Sequence, residues 1–381
     1  MSWPMVKLGD VCQITMGQAP SGSFYNEEGQ GYALIAGAGD FGQINPIPKK
    51  YTTKASKLSK SGDIILCIRA TIGDLNWSDK EYCLGRGVAG LRGKERLDQG
   101  FLWHCLNYNR SVLSSKGTGS TFKQISRNHI EELVIPLPPV EEQKRISAIL
   151  DKADGIRQKS EQTIKLADDF LRATFLAMFG DPVENPKRWD VASLLEYGSF
   201  KNGMNFTKGE SGSVLKCLGV GNFKSLATIT CMDNIGEIEL NTLPSDDYLL
   251  KDGDIVFVRS NGNKALVGRC LTIYPNKEKV TFSGFCIRYR IEKSAITAEY
   301  LNFLFRTPSM KRQMLSGGQG ANIQNISQGT LSALRIPVPP LEKQQIFSKV
   351  VSFHSELMKK ININIVETND MFGSISQKNF N

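Results

Sequence analysis

Ile135-Pro136-Leu137-Pro138-Pro139-Val140-Glu141-Glu142-Gln143 decides the reading of this chain. It returns 201 positions later as Ile336-Pro337-Val338-Pro339-Pro340-Leu341-Glu342-Lys343-Gln344. The register holds upstream, where Gly119-Ser120-Thr121-Phe122-Lys123-Gln124-Ile125-Ser126 meets Gly320-Ala321-Asn322-Ile323-Gln324-Asn325-Ile326-Ser327. Further back, Ser61-Gly62-Asp63-Ile64 answers Asp252-Gly253-Asp254-Ile255, and Trp3 with Leu8 answers Trp189 with Leu194. Behind each Pro-Pro runs a long helical pattern that closes on Met-Phe-Gly, at 178–180 and 371–373. Solenoid units are only about 20–50 residues long, so this period belongs to whole domains. The chain reads as two domains, each followed by one long helix.

The helices announce their starts. Pro138-Pro139 suits the turn before a helix and not its interior, and Glu141-Glu142 put negative charge on the exposed amides of the first turn. Apolar or small residues then follow three or four apart: Ile146, Ile149, Ala153, Ile156, Ser160, Ile164, Ala167, Leu171, Phe175 and Met178. The second helix continues with Ile346, Val350, Phe353, Leu357, Ile361 and Ile365. A narrow apolar stripe on a charged rod is the pattern of a coiled-coil seam. Each helix could instead lie on its own domain, but 40 residues make a rod of about 60 Å, longer than a small domain is wide. Pairing of the two rods is the expectation. The distance from Pro340 to Met371 is 31 positions against 39 from Pro139 to Met178. The second helix is thus expected to be shorter by about two turns, and Asn362 and Asn364 weaken its pattern, so pairing should be incomplete. The expected divisions are a domain over 1–139, a helix over 140–179, a domain over 180–340, a helix over 341–370 and a tail over 371–381.

A chain of 381 residues exceeds one ordinary hydrophobic core, in keeping with two domains. No run of about 18 apolar residues is present, so no membrane-spanning helix is expected. The first seven residues lack the basic-then-apolar pattern of a signal peptide, so the expected location is cytoplasmic. Eight cysteines are spread four per half without a CxxC pair, as for buried reduced thiols and not for a disulfide framework or metal cluster. The net charge of +9 is unevenly distributed: both helical stretches are neutral, and each globular half carries +4. Two similar basic surfaces suit a polyanion.

Catalytic signatures are missing from the sequence. Asp181-Pro182-Val183-Glu184-Asn185-Pro186 is the nearest approach to a methyltransferase Asn/Asp-Pro-Pro-aromatic segment, and it lacks Pro-Pro. No Gly-x4-Gly-Lys-Ser/Thr phosphate loop occurs. His104, His129 and His354 stand far apart, without a carboxylate or cysteine motif, and read as structural. No catalytic residue, cofactor or metal site is therefore assigned.

The runs Asp63-Ile64-Ile65-Leu66-Cys67-Ile68 and Asp254-Ile255-Val256-Phe257-Val258 read as buried strands opened by Gly-Asp. Each ends in Arg (Arg69, Arg259) beside a polar turn. An Arg at a rigid strand end can meet a phosphate or a guanine edge, or can pair with a neighbouring carboxylate. The loops 116–123 and 317–324 expose small polar groups and amides that can follow a phosphate backbone, or serve as plain turns. Candidate DNA contacts are Arg69, Thr71, Lys116, Ser120, Thr121 and Lys123 in the first half. In the second they are Lys201, Asn202, Arg259, Asn261, Lys264, Asn322 and Gln324. Candidate partner contacts on the rods are Ile146, Ile149, Ile156, Leu171, Phe175, Val350, Leu357 and Ile361.

With these segments the chain resembles the specificity (S) subunits of Type I restriction-modification systems over nearly its whole length. The duplicated Ile-Pro-x-Pro-Pro-x-Glu-x-Gln, the Gly-Asp-Ile strands, the loops ending in Ile-Ser and Phe179-Gly180-Asp181-Pro182 carry the likeness. It implies an α+β fold with two similar target-recognition domains, each followed by a long helix. The helices would pack as an antiparallel coiled coil with pseudo-twofold symmetry. It further implies a non-catalytic subunit that reads a split target on double-stranded DNA, one half per domain, with the gap set by the helices. Two methyltransferase (modification) subunits and motor-nuclease (restriction) subunits are the implied partners, with no membrane. The two halves match poorly outside the framework segments, so base-reading residues do not transfer. A protein-interaction scaffold that binds no DNA is the alternative.

Overall fold

The computed structural model describes residues 3–119, 123–207, 209–223, 227–316 and 325–380. It divides into two compact units, residues 1–161 with 362–381, and residues 162–361. The divisions fall inside the two long helices, Val140–Phe179 and Leu341–Phe380. Each unit thus holds one globular head, the opening half of the helix that follows it, and the closing half of the other helix.

The repeated proline segment is where head meets helix. In the first unit Val134–Pro136 is a short strand antiparallel to Met5–Lys7, with Ile135 opposite Val6. In the second, Arg335–Pro337 pairs with Val191–Ser193, with Ile336 opposite Ala192. Each head is closed by joining its first strand to its last. Proline cannot extend this ladder, and the helix begins directly after the Pro-Pro pair.

The glutamine that ends the motif explains its place in the repeat. Gln143 is fully buried. Its amide nitrogen donates to Pro138 O at 2.7 Å and Arg96 O at 2.9 Å, while its oxygen accepts from Asp98 N at 2.8 Å. Gln344 repeats the arrangement with Pro339 O (2.7 Å), Ala295 O (3.3 Å) and Thr297 N (2.9 Å). Asp98 and Thr297 are the N-caps of the head helices Gln99–Tyr108 and Ala298–Arg306. One side chain therefore ties the first turn of each rod to the start of a head helix.

Each head is built on a central antiparallel trio of strands. In the first unit the order is Cys12–Met16, Val88–Gly93, Ile64–Cys67, with Leu75–Trp77 at the edge. In the second it is Gly198–Asn202, Cys286–Ile291, Asp254–Val258, extended by Cys270–Ile273 and Thr228–Ile229. Ile64–Cys67 and Asp254–Val258 are buried throughout, as the apolar runs require. A smaller sheet accompanies each trio. The eight cysteines are free, with Cys231 exposed and the others buried. Burial pushes the Cys12, Cys270 and Cys286 thiols up to about 12, which keeps them protonated.

The rods pack on the heads and on each other. In the second unit Phe175 and Phe179 stack among Tyr300, Phe303 and Phe347, with ring centroids 4.9–6.2 Å apart. Phe175 lies beside Phe347, and Asp168 lies 3.2 Å from His354, so the helices run antiparallel there. In the first unit Phe380 sits 5.4 Å from both Phe101 and Tyr108, and it shares a core with Ile146 and Leu150.

The second rod is not shorter: both helices span 40 residues. Met-Phe-Gly ends only the first. There Gly180 adopts φ +80, its N–H reaches Leu176 O at 2.8 Å, and the Trp189 indole donates to Phe179 O at 3.0 Å. A Cβ on Gly180 would meet Pro186 Cγ at 2.6 Å, so glycine is required. Gly373 has open space around it, no proline follows, and Phe372, Ile375 and Phe380 continue the apolar face. The stretch expected as a tail is helix. Among the described residues no helix is long and apolar enough to cross a membrane.

Replacing Gln143 or Gln344 by Ala takes the side-chain partner from three backbone groups, one in a buried and two in part-buried hydrogen bonds, each worth about 1–3 kcal/mol. Either variant should lose roughly 3 kcal/mol or more of unfolding free energy in urea. A loss within the ~0.5 kcal/mol typical of surface substitutions would show the clamp to be dispensable.

Candidate nucleic-acid interface

The Gly-Asp turn that opens each central strand is a structural device. Gly62 and Gly253 both sit at φ +84. The aspartate after each is buried, its carboxylate accepting the amide of Lys60 or Lys251 at 2.7 Å. Arg92 donates to Asp63 at 2.5 Å, and Arg290 grips Asp254 with two nitrogens at 2.9 and 2.7 Å. Sequence reading found the aspartates and missed their arginines. Arg92 and Arg290 occupy the same place in the neighbouring strand, since Val88 pairs with Cys67 as Cys286 pairs with Val258, a correspondence that only the strand pairing reveals.

That register also corrects the matching of the two strand-end arginines. Cys67 corresponds to Val258, so Ile68 corresponds to Arg259 and Arg69 to Ser260. The hydrogen bonds agree: Ile125 N donates to Ile68 O and Ile326 N to Arg259 O, both at 3.0 Å. Arg69 bridges Gln124 where Ser260 bridges Asn325. The frame is shared, but the basic residue is displaced by one position between heads. Ile68 is buried and Arg259 exposed, so the two arginines do not stand at equivalent positions.

The first head gathers most of its described candidates. Arg69, Thr71 and Lys123 are exposed and Lys116 is half-buried. Ala70 N donates to Lys123 O at 3.2 Å, and Thr118 and Gln124 close the loop with two backbone hydrogen bonds of 3.0 and 2.9 Å. Arg69 and Thr71 line a cleft of about 510 Å³ with Arg86 and the glycines 37, 39, 85 and 87. Ser120 and Thr121 lie outside the described residues.

In the second head, Arg259 and Lys264 are exposed, while the Asn261 side-chain Oδ1 accepts Asn263 N at 2.8 Å within the loop. Asn202 faces Ile287, which in turn faces Phe257, so it shares the sheet end with Arg259. Lys201 is already engaged, 3.0 Å from Asp247 and 4.3 Å over the Tyr248 ring. Its ammonium holds the Asp247 carboxyl below the usual range. Asn322 and Gln324 lie outside the described residues.

On the rods, Ile146, Leu171 and Phe175 are buried within the chain. They belong to the head–helix cores and leave no face for another protein. Ile149, Val350 and Ile361 are half-buried, while Ile156 and Leu357 are exposed. Phe353, expected in the seam, is 70% exposed, and Leu166 and Phe170, off the stripe, are 61% and 64% exposed.

Comparison with known proteins places this architecture. The family model of the Type I restriction modification DNA specificity domain matches twice, over residues 2–166 and 207–367. The chain belongs to that family. Among its relatives, the putative type I restriction enzyme MjaX specificity subunit of Methanocaldococcus jannaschii is 39% identical over 171 residues, covering 43% of this chain and 40% of that protein. The StySPI specificity subunit of Salmonella potsdam is 24% identical over 362 residues, covering 88% and 77%. The crystal structure of a type I S subunit from M. genitalium matches with a TM-score of 0.63 at 16% identity, covering 100% and 96%, which shows a shared fold.

For this specificity-family chain the Asp–Arg pairs are the frame on which the variable strand ends are held. Removing one partner of a buried pair typically costs about 3–5 kcal/mol. Asp254→Ala should therefore unfold at markedly lower urea concentration than the wild type. Substituting exposed Lys264 by Ala should leave the midpoint unchanged. Equal midpoints for the two variants would contradict the structural role given to Asp254.

Proposed function

We propose that this chain is the non-catalytic DNA-reading subunit of a Type I restriction-modification complex. Each head reads one half of a bipartite target on double-stranded DNA, and the paired helices set the gap. Two methyltransferase subunits dock along the rods, and motor-nuclease subunits join them. The observation that carries this reading is the family match over two heads with one frame and divergent strand ends. A duplicated frame with different basic residues at corresponding places is what two independent half-sites require. The net +4 on each head supports contact with phosphates, which supply most of the affinity in such complexes. Exposed Leu166, Phe170, Phe353 and Leu357 give the rods apolar surface for protein partners, in place of the buried residues expected from the stripe. A scaffold that ignores DNA has no observation in its favour beyond that same surface.

Modularity tests the reading. Replacing residues 1–139 by the corresponding head of another specificity subunit should change one half of the methylated sequence. The other half and the gap should stay as they were. Sequencing the methylated sites of cells that carry the hybrid measures this directly. A change in both halves would contradict independent reading by the two heads.

A further inference from the structure

Where the central strands leave their ladder, the neighbouring strands of the two heads also expose different side chains. Val88 corresponds to Cys286, since each closes the last ladder pair, with Cys67 and Val258. Gly87 therefore corresponds to Phe285, and Arg86 to Gly284. The hydrogen bonds repeat the match. Ile68 N donates to Gly87 O at 2.9 Å as Arg259 N donates to Phe285 O at 2.8 Å. Gly85 N donates to Ile35 O at 2.9 Å as Ser283 N donates to Leu218 O at 3.0 Å.

One step beyond the last ladder pair, the first head has buried Ile68 and Gly87, and the second has exposed Arg259 and Phe285. Two steps beyond, the first head exposes Arg69 and Arg86, where the second has half-buried Ser260 and Gly284. The exposed pair is thus shifted by one residue on both strands, and one guanidinium has been exchanged for a phenyl ring.

Phe285 is 61% exposed. A lone apolar residue on a surface needs no explanation by itself, but the setting of this one does. Its backbone is held on both sides: Gly284 N donates to Met204 O at 2.7 Å, Phe285 N to Ser283 Oγ at 3.4 Å, and Phe285 O accepts Arg259 N. In the first head the same place admits no side chain, because a Cβ on Gly87 would meet Ala36 O at 2.1 Å. A phenyl side chain has only two rotatable bonds, so holding it against a ligand costs little conformational entropy.

We propose that Phe285 is a specificity-determining residue of the second head, its ring set against the methyl group of a thymine next to the position that Arg259 meets. This rests on the DNA-reading function proposed above. Base-pair edges in the major groove carry hydrogen-bond donors, acceptors and one apolar group, the thymine methyl. A side chain with neither donor nor acceptor discriminates there only through that methyl. Arg259 and Asn202, at the same sheet end, supply the polar contacts that the ring cannot make.

The test uses the full chain assembled with its methyltransferase partners. Sequencing of methylated sites gives the wild-type target, and the head replacement described above identifies the half read by the second head. Duplexes are then prepared in which each thymine of that half, on either strand, is replaced in turn by deoxyuridine, which lacks only the methyl group. One replacement should weaken binding by the wild-type complex about fourfold, the effect of burying a single methyl group. Phe285→Ala, its fold checked by thermal unfolding, should be insensitive to that replacement and should accept other bases at this one position, with the first half-site unchanged. Phe285→Leu, which keeps an apolar group there, should retain part of the sensitivity.

A second half-site without thymine, or one in which no replacement weakens binding, overturns the proposal, as does undiminished sensitivity in Phe285→Ala. Equal weakening on every sequence would make the ring a general DNA contact, and failure to assemble with the methyltransferase subunits would make it a protein contact; either result overturns the reading role. A wild-type complex with no sequence preference would overturn the DNA-reading function itself, and the proposal with it.

Discussion

Gln143 and Gln344 each close three hydrogen bonds, one buried and two part-buried, between the first turn of a long helix and the backbone around it. A side-chain amide with both N–H donors and its oxygen engaged has little freedom left, and its neighbours cannot shift without losing those hydrogen bonds. The helix axis is therefore fixed relative to the head helix that Asp98 or Thr297 caps. The closing ends of the opposite helix add to this through Phe380 in one unit and Phe175 with Phe179 in the other. Head and rod are tied together within each unit. The proposed reading of two separated half-sites would need that property, because slack at the joint would blur the proposed gap.

The two heads share a frame made of interactions apart from the strand ends where they differ. The pairing of a buried aspartate with an arginine (Asp63–Arg92, Asp254–Arg290), the closing ribbon of first and last strands, and the apolar central strands recur in both heads. Beyond the last ladder pair the copies part: Ile68-Arg69 in one head stands where Arg259-Ser260 stands in the other. A one-position displacement at a strand end changes which residue is exposed and leaves the sheet untouched.

Much of this was legible in the sequence because the repeat is long and its signals are local. Pro-Pro with acidic residues marks a helix start, and a Gly-Asp before an apolar run marks a buried strand. What escaped depends on tertiary context. Met-Phe-Gly stops the first helix because Asp181-Pro182 follows and Trp189 returns to cap it, whereas Gly373 is followed by residues that keep packing. The arginine partners of the buried aspartates come from strands adjacent in space and distant in sequence. The rod stripe gave periodicity but not direction, so Leu171 and Phe175 read alike with exposed Phe353 until the heads were in place. Lys201 looked available as a DNA contact because its neighbour Asp247 lies 46 residues away.

The central claim is that the rods measure the gap between half-sites. Both helices change unit near their midpoints, between 161 and 162 and between 361 and 362. Insertions there, between Gln158 and Thr163 and between Lys359 and Asn364, leave the packing inside each unit intact. Four residues add about 6 Å of rise and about 400° of rotation, a net turn of ~40°. One base pair adds about 3.4 Å and, at 10–10.5 per turn, ~35°. Mapping the methylated sites of a subunit with four residues inserted in both helices is the direct test. Both half-sites should persist with the gap widened by one or two base pairs, whereas two-residue insertions, which rotate by about 200°, should abolish modification. An unchanged gap in the four-residue variant would contradict the account.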